Sequence, residues 1–268
     1  MILALFDDFL RSPFFETFSL LLGLVVGSFA NVCIHRLPLG LSVVSPPSRC
    51  PYCETLVRPY DNVPVLSFLI LGGRCRECRT LISLRYPVVE AANGLLYLGL
   101  AVLFGPTLQT AVAMALSTAL LVLSLIDLDH HILPDAITLP GIGAGLLASL
   151  LPGSPVGIAQ AAAAAFGGYL VMLVVAKGYQ ALRGVEGLGQ GDWKMAAMLG
   201  AFLGWQKLLL TVFLASLLGT LVGLLLVAWK GGDLRRKLPL GTFLGGAAIV
   251  CVFAGDPLVV WYRSFFRG

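Results

Sequence analysis

The chain alternates between long apolar runs and short polar stretches. Seven runs approach the roughly 20 residues that a helix needs to cross the hydrocarbon core of a bilayer, and they cover residues 14–34, 88–105, 107–126, 136–151, 156–176, 207–229 and 239–262. An eighth run, 195–205, is too short to cross alone as a helix. Because lipid offers backbone groups no hydrogen-bond partner, each run is predicted to be helical. The pattern predicts an all-α integral membrane protein with about eight transmembrane helices.

Composition agrees with a membrane location. Of 268 residues, 58% are hydrophobic and 12% are charged, whereas a soluble domain carries about 25% charged residues. The net charge of +4 is small and scattered, which favours membrane lipid over nucleic acid as a partner. The first run follows Asp7 and Asp8 rather than a basic segment, and no A-x-A site follows it, so it is predicted to be retained as a membrane span.

The polar stretches set the expected orientation. Lysine and arginine concentrate in 34–87, 177–194 and 230–237, and short basic loops stay on the cytoplasmic side. Eight crossings place all three stretches on that side and both termini on the other. Arg263 and Arg267 near the C-terminus count against this orientation.

The 34–87 stretch is the one sizeable polar insertion and carries two C-x2-C pairs. Cys50 and Cys53 precede Cys75 and Cys78, with 21 residues between the pairs. Four thiolates from two turns match a structural zinc site, which leaves no open coordination position. Two disulfides are the alternative, which a reducing cytoplasm disfavours, and free cysteines are the other. We therefore expect a first transmembrane helix over 1–34, a small zinc-binding cytoplasmic domain over 35–87 and a membrane-embedded helix bundle over 88–268.

Two acidic clusters lie at the ends of apolar runs, where carboxylates are costly and usually functional. One contains Asp127, Asp129 and Asp135; the other is Glu186-Gly-Leu-Gly189-Gln-Gly191-Asp192-Trp-Lys194. Two carboxylates brought together can share a proton and activate water, one as acid and one as base. The glycines would let a backbone or a substrate approach closely. The clusters indicate a membrane-embedded enzyme.

Other interpretations of these residues stay open. Asp135 and Asp192 each stand where a helix N-cap belongs, and Asp129 suits a solvated loop. His130 and His131 could add a second metal site with a neighbouring aspartate. A proton-relaying transporter also places aspartates in membranes, but it predicts internal repeats, and none is evident along the chain. A scaffold that docks partners through zinc would leave the membrane carboxylates unexplained.

The expected helix ends also suggest where a shared proton would lie. Asp127 ends a long helix, whose terminal partial charge opposes a carboxylate, whereas Asp192 precedes a helix and lies near Lys194. These environments predict that the shared proton sits mainly on Asp127.

Taken together, these motifs closely resemble the type IV prepilin peptidases. The resemblance runs through Gly27-Ser-Phe-Ala-Asn-Val-Cys-Ile-His-Arg-Leu-Pro38, Ser48-Arg-Cys-Pro-Tyr-Cys53, Asn62-Val-Pro-Val-Leu-Ser67, Gly73-Arg-Cys-Arg-Glu-Cys78, Arg85-Tyr-Pro-Val-Val-Glu90, Ile126-Asp-Leu-Asp129, Leu133-Pro-Asp-Ala-Ile-Thr-Leu-Pro140, Gly189-Gln-Gly-Asp-Trp-Lys194 and Pro239-Leu-Gly-Thr-Phe243. Departures are minor, with Ala30 where a larger apolar residue is common and Trp193 where phenylalanine often stands.

The resemblance implies an activity and its residues. Such enzymes reside in the bacterial inner membrane and cut the short basic leader from type IV prepilins or type II secretion pseudopilins, after a glycine on the cytoplasmic side. Members with the cysteine-bearing domain also methylate the new N-terminal residue with S-adenosylmethionine. By motif, the resemblance implies Asp127 and Asp192 as the catalytic pair. Five further residues are implied to support the peptidase site, namely Asp129, Asp135, Gly189, Gly191 and Lys194, and four are candidates for the cofactor site, namely Asn31, His35, Arg85 and Glu90.

Overall fold

The computed structural model describes residues 13–185, 187–230 and 238–264. Asp7, Asp8, Arg267 and the basic residues of 231–237 lie outside the described residues. The helices are α1 (Pro13–Arg36), α2 (Leu66–Ile70), α3 (Arg85–Phe104), α4 (Leu108–His130), α5 (Asp135–Ala148), α6 (Ile158–Arg183), α7 (Gln190–Lys230) and α8 (Leu240–Ser264). Within the described residues, six of them (α1, α3, α4, α6, α7 and α8) are long and apolar enough to cross a membrane, and α5 is a shorter apolar helix.

Helix α7 is two helices joined at a break. Gly204 has φ 72° and ψ 172°, a left-handed conformation that glycine adopts without steric cost. The break separates 190–203, which contains the short run found in the sequence, from 205–230. Counting both parts, the described chain contains eight apolar helices besides the five-residue α2. The predicted fold class, an all-α membrane protein with about eight apolar helices, is confirmed.

Two helix ends lie further along the chain than the apolar runs predict. Helix α6 was expected to end near residue 176 and continues to Arg183, and α4 was expected to end near residue 126 and continues to His130. Polar side chains follow both apolar runs, and such residues continue a helix at little cost when its end is solvated. As a result, Asp127 and Asp129 belong to the last turn of α4.

The chain divides into two units, Met1–Thr118 and Ala119–Gly268. In the first unit, α1 and α3 approach so closely that glycines are required. A Cβ on Gly23 would lie 2.8 Å from the Cα of Gly94, and one on Gly27 would lie 2.8 Å from the Cα of Glu90. Asn93 donates a hydrogen bond of 2.8 Å to the Gly23 carbonyl. Small residues and interhelical hydrogen bonds of this kind hold helices together in lipid.

In the second unit, α7 contacts α5, α6 and α8. The 190–203 part is almost wholly buried, with Met195, Met198 and Leu199 at its centre. This helix is too short to span the bilayer alone, and packing within the unit keeps most of its backbone out of lipid. Its buried part starts at Asp192, so it carries a carboxylate into the interior of the unit.

Gly245 of α8 fits against Ser124 of α4, and this contact gives a stability prediction. A Cβ on Gly245 would overlap Ser124 Oγ and come within 3.2 Å of the Leu120 carbonyl. We expect Gly245→Ala to lower the free energy of unfolding by roughly 1–3 kcal/mol through overpacking. Ser124 Oγ is buried and has no hydrogen-bond partner in the described chain, so Ser124→Ala alone should cost little. Thermal unfolding in detergent measures both effects.

The control is the neighbouring glycine. A Cβ on Gly246 would meet no atom within 4 Å, so Gly246→Ala should leave the unfolding temperature unchanged. Because the overlap is with the serine hydroxyl, adding Ser124→Ala to Gly245→Ala should recover part of the loss. Equal unfolding temperatures for Gly245→Ala and Gly246→Ala would contradict the packing argument.

Candidate functional site

The four cysteines of the first unit form one cluster. Their Sγ atoms all lie within 4.8 Å of one another, with Cys50 3.7 Å from Cys78 and Cys53 4.0 Å from Cys75. A tetrahedral zinc with Zn–S bonds of about 2.3 Å places its sulfurs about 3.8 Å apart. The cluster therefore fits one four-thiolate metal ion. It is the one group of potential metal ligands found among the described residues.

The two cysteine turns are an internal repeat that the sequence analysis missed. Residues 49–56 and 74–81 share the order Arg-Cys-x-x-Cys-x-Thr-Leu. In each turn the first cysteine donates its N–H to the threonine carbonyl, at 3.0 Å for Cys50 and 2.8 Å for Cys75. The residue after the second cysteine has a positive φ, 57° at Glu54 and 60° at Arg79. Two copies of one turn, facing each other, produce the tetrahedral arrangement.

The repeated threonines favour the metal-binding form of the thiols. A hydrogen bond of 3.2 Å joins the Thr80 hydroxyl to Cys78 Sγ and lowers the pKa of Cys78 to about 6. The Thr55 hydroxyl likewise lowers the pKa of Cys53. The thiolate is the form that ligates metal, so these contacts strengthen the fit of the cluster to zinc.

The candidate cofactor residues lie in the same unit. Asn31 is buried and donates to the Tyr86 carbonyl at 3.1 Å. Glu90 is buried and accepts the Val65 N–H at 2.7 Å. Val65 has φ 60°, which is strained for a β-branched residue, so Glu90 holds a turn that the backbone alone disfavours. Asn31 and Glu90 thus have structural partners at the contact between α1 and α3.

The other two candidates lie at ends of the same two helices. His35 is exposed near the end of α1, and Arg85 is the first residue of α3. The hydrogen bonds of Asn31 and Glu90 run to backbone groups of the protein and identify no site for S-adenosylmethionine. Their role in cofactor binding stays a prediction.

The second unit brings the two principal aspartates together. Asp127 lies in the last turn of α4 and Asp192 in the first turn of α7, and their side chains are close enough to interact electrostatically. Both residues are buried, with 5% and 8% of their surface exposed. Buried carboxylates near each other are expensive unless they share a proton. The arrangement is suited to acid–base chemistry.

The Asp127 carboxylate caps the N-terminus of α8. Its Oδ2 accepts the backbone N–H of Thr242 at 2.8 Å, and Thr242 Oγ1 lies 3.3 Å from the same oxygen. The backbone N–H of Gly241 also interacts with this carboxylate. First-turn N–H groups have no acceptor inside their own helix, so the carboxylate satisfies them. Sequence reasoning gave no role to Thr242, although the signal was present in the motif Pro239-Leu-Gly-Thr-Phe243.

Asp192 is held by the loop before α7. Its Oδ2 accepts the N–H of Gly189 at 3.0 Å. The glycine two positions later has a packing role, because a Cβ on Gly191 would lie 2.7 Å from Leu133 Cβ. A Cβ on Gly241 would lie 2.9 Å from the same leucine and 3.0 Å from Asp127 Cγ. Leu133 therefore packs between the segment that carries Asp192 and the start of α8 beside Asp127, another role that sequence reasoning missed.

A salt bridge joins two of the expected supporting residues. Lys194 Nζ lies 2.7 Å from each carboxylate oxygen of Asp135. Pro134, not Asp135, occupies the N-cap of α5, and Asp135 is the first helical residue. Asp129 is exposed in the last turn of α4 and lies outside this pair. The salt bridge links α5 to α7 beside the aspartates, so Asp135 connects helices rather than capping one.

The structure changes the argument for where the shared proton lies. Sequence reasoning counted only the C-terminus of α4 beside Asp127, and the structure adds the N-terminal donors of α8. Asp192 also receives a backbone N–H. The helix ends therefore do not distinguish the two carboxylates, and placing the proton on Asp127 has no support from them.

Comparisons with known proteins connect this geometry to a family. A profile described as the type IV leader peptidase family matches residues 114–224, the part that contains both aspartates. A second profile, the bacterial peptidase A24 N-terminal domain, matches residues 21–104. A prepilin leader peptidase/N-methyltransferase from Burkholderia pseudomallei is 40% identical over 266 residues, which cover 90% of this chain and 85% of that protein. The chain belongs to the type IV leader peptidase family.

Other relatives of the leader peptidase family are similar along most of their length. Proteins of the same name from Pseudomonas putida and Pseudomonas aeruginosa are 39% and 38% identical. The matches cover 93% and 92% of this chain, and 94% and 93% of those proteins. No solved structure matches the chain. The expected family and the expectation of a membrane enzyme, a leader peptidase with methyltransferase activity, are confirmed.

Proposed function

We propose that this chain is a membrane aspartic endopeptidase that removes the leader peptide of type IV prepilins or type II secretion pseudopilins. The observation that carries the proposal is the pair of buried carboxylates, Asp127 and Asp192, brought together from the ends of two helices. The family match over residues 114–224 supports a leader peptide as the substrate, as do relatives named prepilin leader peptidase/N-methyltransferase.

The proposed chemistry uses one shared proton. The ionised carboxyl takes a proton from a water molecule as the water oxygen attacks the scissile carbonyl carbon. The protonated carboxyl gives its proton to the carbonyl oxygen, which forms a tetrahedral diol. Breaking the C–N bond then releases the leader with a new carboxylic acid group and the mature protein with a new amine. The carboxyl that took the water proton gives it to the leaving nitrogen, and the other carboxyl takes a proton back from the diol, which restores the pair. Burial keeps bulk water from competing with the positioned molecule.

The neighbouring residues support this pair by fixing the elements that carry it. The Lys194–Asp135 salt bridge ties α7 to α5, and Gly191 allows Leu133 to pack beside Asp192. A displacement of about 1 Å can cost a hundredfold in rate, so contacts that set the separation of the carboxylates matter for catalysis. Gly189 contributes the N–H that holds Asp192, and Asp129, in the last turn of α4, is proposed as a further supporting residue.

The N-terminal unit is proposed to carry the methyltransferase function. Cys50, Cys53, Cys75 and Cys78 would hold a structural zinc, which folds a segment too small to form a core of its own. S-adenosylmethionine would supply the methyl group for the new N-terminal amine. The proposed domains are a first transmembrane helix over 1–34, the zinc domain over 35–87 and the peptidase bundle over 88–268.

The proposed location is the bacterial inner membrane, with the zinc domain and the aspartates on the cytoplasmic side. The basic residues Lys177 and Arg183 at the end of α6, and those of the 34–87 segment, support this orientation. A leader that carries positive charge stays on the cytoplasmic side by the same rule, so enzyme and substrate would meet there.

Mass spectrometry of a prepilin N-terminus after co-expression with this chain tests both activities. A mature N-terminus carrying one added methyl group supports the peptidase and the methyltransferase together. A mature N-terminus without the added methyl group would contradict the proposed methylation. A prepilin that keeps its whole leader, in cells where the enzyme is inserted in the membrane, would contradict the proposed function.

A further inference from the structure

We propose that Thr242 is a positioning residue of the aspartic pair and that its hydroxyl fixes which oxygen of Asp127 reacts. This inference rests on the proposed peptidase function. It starts from the contact between Thr242 and Asp127, which are 115 positions apart in the chain and which the sequence motifs do not connect.

The contact is made by one side chain with two neighbours on α4. Thr242 Oγ1 lies 2.9 Å from the Ser124 carbonyl oxygen and 3.3 Å from Asp127 Oδ2. A threonine hydroxyl has one hydrogen to donate and two lone pairs to accept with. The Ser124 carbonyl is the nearer acceptor of this hydrogen, and Asp127 Oδ2 is the second, more distant acceptor of the same hydroxyl.

The backbone of the same residue completes the arrangement. The Thr242 N–H donates to Asp127 Oδ2 at 2.8 Å, so both Thr242 contacts end on one carboxylate oxygen. Thr242 does not contact Oδ1, and we assign to Oδ1 the reaction with water, the substrate or Asp192. When the proton of Asp127 is on Oδ2, this O–H can donate to Thr242 Oγ1. When the proton is on Oδ1, Oδ2 accepts the Thr242 N–H.

The surrounding packing makes this placement rigid. A Cβ on Gly241 would lie only 3.0 Å from Asp127 Cγ, so the chain at the start of α8 lies against the carboxylate without space for it to swing. Asp127 is buried and Thr242 is half-buried, so few other groups can take the place of the Thr242 hydroxyl beside the carboxylate. A side chain that ties the start of α8 to the last two turns of α4 therefore controls the rotamer of Asp127.

The test compares three variants of the full-length enzyme in prepilin cleavage. Thr242→Val keeps the shape and the backbone N–H but removes the hydroxyl, and we expect kcat to fall roughly 10- to 100-fold with KM within about twofold of the original. Thr242→Ser restores the hydroxyl and should stay within about threefold of the original enzyme. Rescue by serine separates hydrogen bonding from the loss of volume.

Thr211→Val is the matched control. Thr211 is fully buried in the same unit and donates to the Lys207 carbonyl at 2.7 Å, without touching either aspartate. We expect Thr211→Val and Thr242→Val to lose similar thermal stability, since each loses one hydrogen bond to a carbonyl, but only Thr242→Val to lose kcat. Equal kcat values for the two valine variants would overturn the proposal. So would a Thr242→Ser enzyme as slow as Thr242→Val, or an effect confined to KM.

Asp127→Asn, assayed in parallel, separates this inference from the function on which it rests. If Asp127→Asn cleaves at the original rate, the aspartic pair itself is wrong and the role of Thr242 falls with it. If Asp127→Asn is inactive and Thr242→Val is as active as the Thr211→Val control, only the positioning role is overturned. Loss in both, with rescue by serine, supports both.

Discussion

Replacing Asp127 or Asp192 by asparagine is expected to reduce prepilin cleavage by roughly 10³-fold or more, the scale seen when one member of a catalytic unit is removed. The carboxamide preserves shape and burial but can neither take a proton from water nor share one. Each variant should insert and fold, because an uncharged amide is easier to bury than a carboxylate. The measurement is the rate of prepilin cleavage by purified enzyme in detergent.

Asp256→Asn is the control for this experiment. Asp256 lies in the same unit, but it is 74% exposed and pairs with Lys207 at 2.8 Å. An exposed ion pair contributes little to stability, so this variant should cleave at the original rate. The cysteine cluster should remain intact in all three variants, since its contacts lie within the first unit. If Asp127→Asn and Asp192→Asn both cut prepilin normally, the proposed catalytic pair is wrong.

Removing the metal should destabilise the cysteine-bearing segment of the first unit and leave the membrane helices folded. The purified enzyme is expected to hold one zinc ion per chain, and Cys75→Ser should lose it. Structural zinc sites of this kind bind with about 10–16 kcal/mol of apparent free energy, far more than a small domain can otherwise supply. Hydrogen exchange should therefore accelerate across 48–81 in Cys75→Ser. Exchange in the membrane helices should stay slow, because their backbone hydrogen bonds do not involve the thiolates.

Cys33→Ser provides the matched cysteine control. Cys33 lies in α1 of the same unit and outside the cluster, so this variant should keep its metal and its slow exchange. We also expect Cys75→Ser to release mature prepilin without the added methyl group while cleavage continues. Elemental analysis that finds no metal in the original enzyme with reduced cysteines would contradict the assignment of the cluster.

Several features were predictable because they depend on local pattern. Hydrophobic runs near the length of a bilayer span gave the number of helices, since lipid forces each run to satisfy its own hydrogen bonds. The paired C-x2-C turns predicted the cluster of four cysteines, because each turn brings its two thiols together whatever the rest of the chain does. The repeat of residues 49–56 at 74–81 was also readable and was overlooked.

Pairings between distant segments could not be inferred this way. No periodicity in the chain places Thr242 against Asp127, Leu133 against Gly191 or Lys194 against Asp135. Each pairing depends on which faces of the helices meet, and that is set by side-chain packing over the whole unit. The expectation about the shared proton failed to account for α8 for the same reason. A helix dipole acts on any carboxylate near its end, and only the folded chain shows which helix end lies beside Asp127.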